Sequence, residues 1–315
     1  MNIYSNILQL DLDKRKEYYQ DAVKLNTGRN CLEYVLLAKS IKKIYLPYYI
    51  CDTILEPLLR NKIDYEYYSI NSAFYPIEIK PVKRDEAFLY VNYFGINDKV
   101  VKYLSDHVSN LIIDNTQAFF SNPLPNIDTF YSPRKFFGVP DGGYLYTDRK
   151  LNCQFSQDIS YKRMVHLIKL LDSDVKIQKN FHSDESGLSN LPIMIMSSLT
   201  QSLLSAIDYK RAEAKRKRNF SIFNELLSSK NEIHLSLKKQ IPASYYPFLS
   251  TVEGLRQKLR ENKIFTPTFW PNVLKRIRQG CFERTMVKNL VLLPVDQQKD
   301  IQIPELICDI ILKLS

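Results

Sequence analysis

A lysine, a nearby serine and a pair of glycines form the most chemically suggestive stretch of this sequence. "TFYSPRKFFGVPDGGYLYTD", residues 129–148, carries Ser132 and, three positions on, Lys135; Gly142 and Gly143 stand seven and eight positions after the lysine. Glycine is scarce, 8 in 315 residues, so three of them between positions 138 and 143 call for a backbone reason. A glycine pair lets a chain pass close to a ligand or to another strand. A lysine kept partly out of water has its pKa lowered and can attack a carbonyl carbon. The plain alternative is an exposed loop lysine.

Two further groups stand upstream. Asp114 closes the apolar run of "LIIDNTQAFF", where an acid is costly unless a cation meets it. Gln117, three residues on, can reach the same pocket; the neighbouring Asn115 equally suits a simple turn. Thr27, Gly28, Arg29 and Asn30 form a turn at the start of a helical pattern. A helix N-terminus offers unpaired N–H groups and the positive end of a dipole, which suits a phosphate. A threonine-capped glycine turn would look the same.

The elements that must position these groups alternate. "NTGRNCLEYVLLAKSI" reads as a turn and a helix with Cys31, Leu32, Val35 and Leu36 on its apolar face, and "KKIYLPYY" as a short buried strand. "CDTILEPLLRNK" is helical, "IDYEYYSI" alternates like a strand, and "AFLYVNYFG" and "NLIIDNTQAFF" are strand-length apolar runs around a helical "DKVVKYLSDHV". "GGYLYTD" is another strand. Such alternation predicts a mostly parallel sheet with helices on both faces, and in such sheets ligands collect at the C-terminal strand ends. After about residue 189 one long helix, or two, leads to a tail of strand "SYYPFLST", helix "VEGLRQKLRENK", strand "IFTPTFWP", loop, strand "NLVLLPV" and helix "QIPELICDIILKLS". That is a small α+β unit.

Totals exclude several classes. The net charge is +10, and the densest basic run, "KRAEAKRKRNF", is broken by Glu213 inside a helical pattern. With no accompanying nucleic-acid motif, solvated faces explain it, and the surplus suits a phosphate-bearing small substrate. No apolar run is long enough to span a membrane, and the start lacks the pattern of a secretory signal. The 5 cysteines are widely spaced without a CxxC pair, so neither a disulfide framework nor a metal site is expected, and a cytoplasmic setting fits. His107, His166, His182 and His234 read as core or surface residues, with His182 near Asn190, and Trp270 reads as packing for the C-terminal unit or as a substrate contact.

The ordered set of Thr27 and Gly28, Asp114 with Gln117, and Lys135 with Gly142 and Gly143 resembles the DegT/DnrJ/EryC1/StrS sugar aminotransferase family, and the resemblance runs over nearly the whole chain. It implies an α/β fold of fold type I: a large cofactor-binding domain over residues 1–215 and a small C-terminal domain over 216–315. It implies pyridoxal 5'-phosphate as cofactor. Lys135 would carry it covalently and later shuttle a proton. Asp114 would keep the pyridine nitrogen protonated, and Gln117 would lie near the phenolic oxygen. Thr27, Gly28, Arg29 and Asn30 would cradle the phosphate, with Ser132 as a further contact. Cys51 or Tyr49 would stack on the ring; spacing leaves both open. Asn190, in "GLSNLP", would be lent across a homodimer with shared active sites. The partners implied are an amino-acid donor, glutamate first, and a nucleotide-linked keto-sugar, with no nucleic acid and no membrane.

The sequence departs from the family pattern at Phe130, Phe136, Asp141 and Asn92, and it is shorter than typical members. Relatives that dehydrate sugars replace the lysine by histidine; Lys135 is kept here. The alternatives to sugar amination are another acceptor and a binding or regulatory role without turnover.

Overall fold

A computed structural model describes Leu8 and residues 10–172, 186–233 and 240–314. The elements follow in chain order: β1 Val23–Leu25, α1 Gly28–Ala38, β2 Lys43–Pro47, α2 Leu55–Arg60, β3 Asp64–Tyr68, β4 Glu86–Val91, α3 Asp98–His107, β5 Leu111–Asp114, β6 Asp128–Tyr131, β7 Gly143–Tyr146, α4 Val165–Asp172, α5 Ser198–Ser205, α6 Tyr209–Leu227, β8 Tyr245–Leu249, α7 Leu255–Glu261, α8 Phe282–Asn289, β9 Leu290–Pro294 and α9 Gln302–Leu314.

Seven strands form one sheet in the order β1-β7-β6-β5-β4-β2-β3. From β6 to β3 every pairing is parallel, whereas β7 pairs antiparallel with both β6 and β1. Because β7 alone is reversed, β1 points the same way as β6. The ends of β1, β2, β4, β5 and β6, and the start of β7, therefore share one edge. Helices cover both faces, which is why β4 is buried along its whole length and reads as a nearly unbroken apolar run. Leu89, Tyr90, Ile112 and Leu145 sit in the main core.

The tail holds a second, two-stranded sheet, β8 antiparallel to β9, with Tyr245 opposite Pro294 and Leu249 opposite Leu290. Phe220 and Phe223 from α6 and Ile307 and Ile311 from α9 close a smaller core over it. One expected strand is absent. "IFTPTFWP" is irregular: Pro267 cannot donate to a ladder, and Trp270 takes a positive φ of 51°. The segment read as loop before β9 instead contains α8. Residues 128–131, not read as a strand, form β6 beside β5.

Asp141 is wholly buried and carries a structural load. It accepts from the Ser197 N–H at 2.9 Å, from the Ser197 hydroxyl at 2.7 Å and from the Thr200 hydroxyl, tying the β7 approach to the start of α5. Replacing it by alanine strands three buried donors. Asp141→Ala is expected to lose about 3 kcal/mol of unfolding free energy. A urea titration reads this, and an unchanged midpoint would refute it.

Candidate active site

The shared strand edge borders a cavity of about 540 Å³. Thr27, Gly28, Asp114, Gln117, Ser132 and Lys135 all line it, although they come from three separate turns. Arg29 and Cys51 line it as well.

Asp114 is the last residue of β5 and is only 6% exposed. Its Oδ1 accepts the Thr116 N–H at 2.8 Å. Burial raises its carboxyl above the usual range; the Lys135 ammonium and the Thr116 hydrogen bonds oppose that rise. Lys135 ends a short 3-10 turn after β6 and donates from Nζ to Thr116 Oγ1 at 2.9 Å. Thr116 thus touches both titratable groups. The sequence reading passed over it, although its place between Asp114 and Gln117 was a readable signal.

Gln117 is 1% exposed, and its Oε1 accepts the Phe94 N–H at 2.9 Å. That contact needs the turn after β4, where Phe94 and Gly95 both take positive φ. A Cβ on Gly95 would stand 3.1 Å from the Gln117 carbonyl oxygen. With its oxygen committed, Gln117 has its Nε2 buried without a hydrogen-bond partner among the described residues. A buried amide donor left open beside a cavity is costly unless a ligand takes it.

Thr27 caps α1: its Oγ1 accepts the Asn30 N–H at 3.1 Å. The N–H groups of Gly28 and Arg29 lie in the first turn and have no acceptor within the helix. Ser132, 8% exposed, stands opposite, 3.8 Å from where a Gly28 Cβ would be. The Arg29 guanidinium is taken by Glu56, Nη1 to Oε1 at 2.5 Å, so Arg29 offers the cavity its backbone more readily than its charge.

Three expected site residues lie away from the cavity wall. Asn30 turns inward and donates to Asn26 Oδ1 at 2.8 Å and to the Pro192 carbonyl at 2.7 Å, which spends its side chain on fixing the Thr27 turn. Tyr49 is 1% exposed and packs edge-on against Trp270 at 4.6 Å, so of the two ring-stacking candidates only Cys51 reaches the cavity. Asn190 is exposed, takes a φ of 55° and donates its N–H to Glu56 Oε2 at 3.0 Å.

Other residues also stand on the wall. Trp270 both packs on Tyr49 and faces the cavity, with Phe269 stacked on it at 5.3 Å. The proline-broken segment supplies these rings, which a regular strand would have placed differently. His166 and Arg134 also line the cavity. His107 lies on the surface against Tyr103, and His182 and His234 fall outside the described residues. Among the described residues no group of three or more His, Cys, Asp or Glu is placed to hold a metal ion. No helix among them is long and apolar enough to cross a membrane.

The architecture is that of fold type I pyridoxal-phosphate enzymes, as the sequence resemblance implied. No family model matches the sequence, and no curated protein matches it. Solved structures do share the fold. DesV of S. venezuelae, seen in complex with a ketimine intermediate, is 13% identical with a TM-score of 0.66, covering 93% of this chain and 84% of that one. Helicobacter pylori PseC, an aminotransferase involved in the biosynthesis of pseudoaminic acid, is 15% identical with a TM-score of 0.62, covering 93% and 86%. The E. coli GDP-4-keto-6-deoxy-D-mannose-3-dehydratase, with bound hydrated PLP, is 13% identical with a TM-score of 0.61, covering 92% and 87%.

Proposed function

We propose that this chain binds pyridoxal 5'-phosphate and transfers an amino group from an amino-acid donor, glutamate first, to a nucleotide-linked keto-sugar of the kind used in cell-surface polysaccharides. One observation carries the reading: a lysine amine, a buried carboxylate, an open buried amide donor and a capped helix N-terminus converge on one cavity. Each matches a group of that cofactor. When bound, pyridoxal phosphate supplies an aldehyde carbon that amines attack and a ring that accepts electrons.

The chain's residues then divide the work. The N–H groups of Gly28 and Arg29, with the Ser132 hydroxyl, bind the phosphate at the positive end of α1. Asp114 holds a proton at the pyridine nitrogen, and its burial makes that charge pair strong. Gln117 Nε2 donates to the phenolic oxygen. Lys135 would hold the cofactor through its aldehyde carbon, and its free amine would move a proton between the substrate carbon that bears the amine and that cofactor carbon; Thr116 Oγ1 gives the amine a resting place. Phe269 and Trp270 keep water from one side of the cavity. Cys51 stands on the wall where an aromatic ring is expected in relatives.

The same proposal divides the chain into a cofactor-binding unit over 1–215 and a small unit over 216–315. It includes a homodimer in which the partner lends its Asn190, and a cytoplasmic setting. Retention of Lys135 favours amination over dehydration. The test is the visible absorbance of the chain loaded with pyridoxal phosphate, followed on adding glutamate, with keto-sugar product analysis. Bleaching by glutamate and an aminated sugar are the expected results. Bound cofactor that glutamate leaves unchanged would favour a binding or regulatory role, and loss of a sugar hydroxyl without amination would make the chain a dehydratase.

Asp114→Asn separates stability from function. The folded carboxyl titrates above the unfolded one, so its contribution is fully present below the unfolded pKa and is lost as pH rises through the folded value. Above that window the buried charge weighs against folding. Asn keeps an acceptor for the Thr116 N–H and removes the charge. The variant without cofactor is therefore expected to melt no lower than wild type at neutral pH and to lose part of its acid-side pH dependence. It should bind pyridoxal phosphate about tenfold to a hundredfold more weakly. Calorimetry at several pH values checks the first outcome and an absorbance titration the second. Wild-type affinity would remove Asp114 from the scheme.

A further inference from the structure

Arg216, in the middle of α6, is only 2% exposed. It forms no salt bridge among the described residues, and it is spent on acceptors from three segments. Its Nε donates to Gln297 Oε1 at 2.8 Å, one Nη to the Ala243 carbonyl at 2.9 Å and the other to the Phe136 carbonyl at 3.3 Å. Its guanidinium also lies over the Phe136 ring, 4.5 Å from the centroid. Gln297, just after β9, donates its own Nε2 to the same Phe136 carbonyl at 2.7 Å. Phe136 is the residue after Lys135, and its N–H donates to the Pro133 carbonyl at 2.9 Å, closing the turn that carries the lysine.

Burial pulls the guanidinium down to about 10, which leaves it charged at neutral pH. A desolvated cation is a costly way to fill space, and an apolar side chain of like volume usually does that as well or better. What an apolar chain cannot do is fork to carbonyls on separate segments.

We propose that Arg216, with Gln297, is a positioning residue for Lys135: the pair locks the backbone after the lysine onto the C-terminal part of the chain and so sets where Nζ stands relative to Thr116 and Asp114. Lys135 is held from its front by Thr116 and from behind through Phe136. The geometry stands without any cofactor; only its consequence for catalysis rests on the function proposed above. A loosened Lys135 turn would leave the cavity lined by the same residues but would let the amine wander.

The test uses the full chain, treated with hydroxylamine so that Lys135 carries a free amine. Limited acetylation by acetic anhydride is followed by peptide mass spectrometry across pH, with the other lysines as internal reference. In Arg216→Met, Lys135 is expected to acetylate about threefold faster or slower relative to those lysines, with a moved pH midpoint, and to bind pyridoxal phosphate about tenfold more weakly. Arg216→Lys, which keeps the charge but not the fork, should recover only part. If Lys135 keeps its wild-type rate, midpoint and affinity while the melting temperature falls, Arg216 is a structural residue and the proposal is wrong. Should Arg216→Met fail to fold, Gln297→Leu removes the other donor to the Phe136 carbonyl and one acceptor of the buried cation, leaving Arg216 its two backbone carbonyls, and the same readouts decide. If the wild-type chain takes up no pyridoxal phosphate and Arg216→Met still changes Lys135 labelling, the function is overturned and the positioning role stands.

Discussion

Lys135→Ala will abolish the attachment of pyridoxal phosphate that borohydride makes permanent, and turnover will fall about a thousandfold or more, the scale of losing a positioned proton-transfer group. Wild-type protein reduced in the cofactor's presence should yield one modified peptide containing Lys135, and the variant none. The fold should survive, because Lys135 is exposed and, among the described residues, its side chain makes one hydrogen bond, to Thr116. Stability without cofactor should nevertheless drop at neutral pH. The Lys135 ammonium is what opposes the upward push of burial on the Asp114 carboxyl. Without it, a buried charge loses the cation that opposes the effect of burial. Adding Asp114→Asn to Lys135→Ala is therefore expected to recover stability, a coupling that a double-mutant cycle reads directly. Borohydride attachment that persists at another lysine, or turnover near wild type, would remove Lys135 from its role. Simple additivity of the two substitutions would deny their electrostatic coupling.

Gly143→Ala should meet the closest contacts of any glycine-to-alanine change in the chain. A Cβ there would stand 2.7 Å from the Thr27 carbonyl carbon and oxygen and 2.7 Å from Cys31 Sγ. Backbone cannot step aside as a flexible side chain can. Leu25 pairs with Gly143 across the β1–β7 ladder, and Gly142 donates its N–H to the Asn26 carbonyl at 2.6 Å, so the strand is fixed where the clash occurs. The start of α1 must move instead. Overpacking of this kind costs about 1–3 kcal/mol, with more where backbone is the obstacle. The displaced element carries the Thr27 cap, so weakened phosphate binding should accompany the loss of stability. Cys31→Ala should not rescue the variant, because the Thr27 carbonyl remains in the way. Gly138→Ala is the internal control: the nearest atom to a Cβ there is a Leu167 methyl at 3.8 Å, an ordinary contact. Urea midpoints of the three variants settle the matter, and a Gly143→Ala protein as stable as Gly138→Ala would contradict the account.

Much of this was legible along the chain. Apolar runs of strand length and helical periodicity between them gave the sheet and its helices, and the order Thr27, Asp114, Gln117, Lys135 and Gly142 gave residues that meet at the cavity. Those signals are local, since a strand or a capped helix is set largely by neighbours in sequence. Prolines misled where the apolar pattern of "IFTPTFWP" suggested a strand and the missing Pro267 N–H forbade one. Asn30 looked like a phosphate contact because it sits in the right turn, but the direction of its side chain depends on residues 191 and 192, far along the chain.

By itself, then, the sequence determined the α/β architecture and brought Lys135, Asp114, Gln117 and the Thr27 turn forward as a group. Only the tertiary structure decided how they meet. It put Cys51 on the cavity and buried Tyr49 behind Trp270. It also seated Gly143 against the Thr27 carbonyl while leaving Gly142 on the cavity wall, and it placed Arg216 against the backbone that carries Lys135. The reason is physical. Residue type and spacing fix which elements form, but which atoms touch across eighty or more residues depends on strand order and register, and these exist only once the whole sheet has closed.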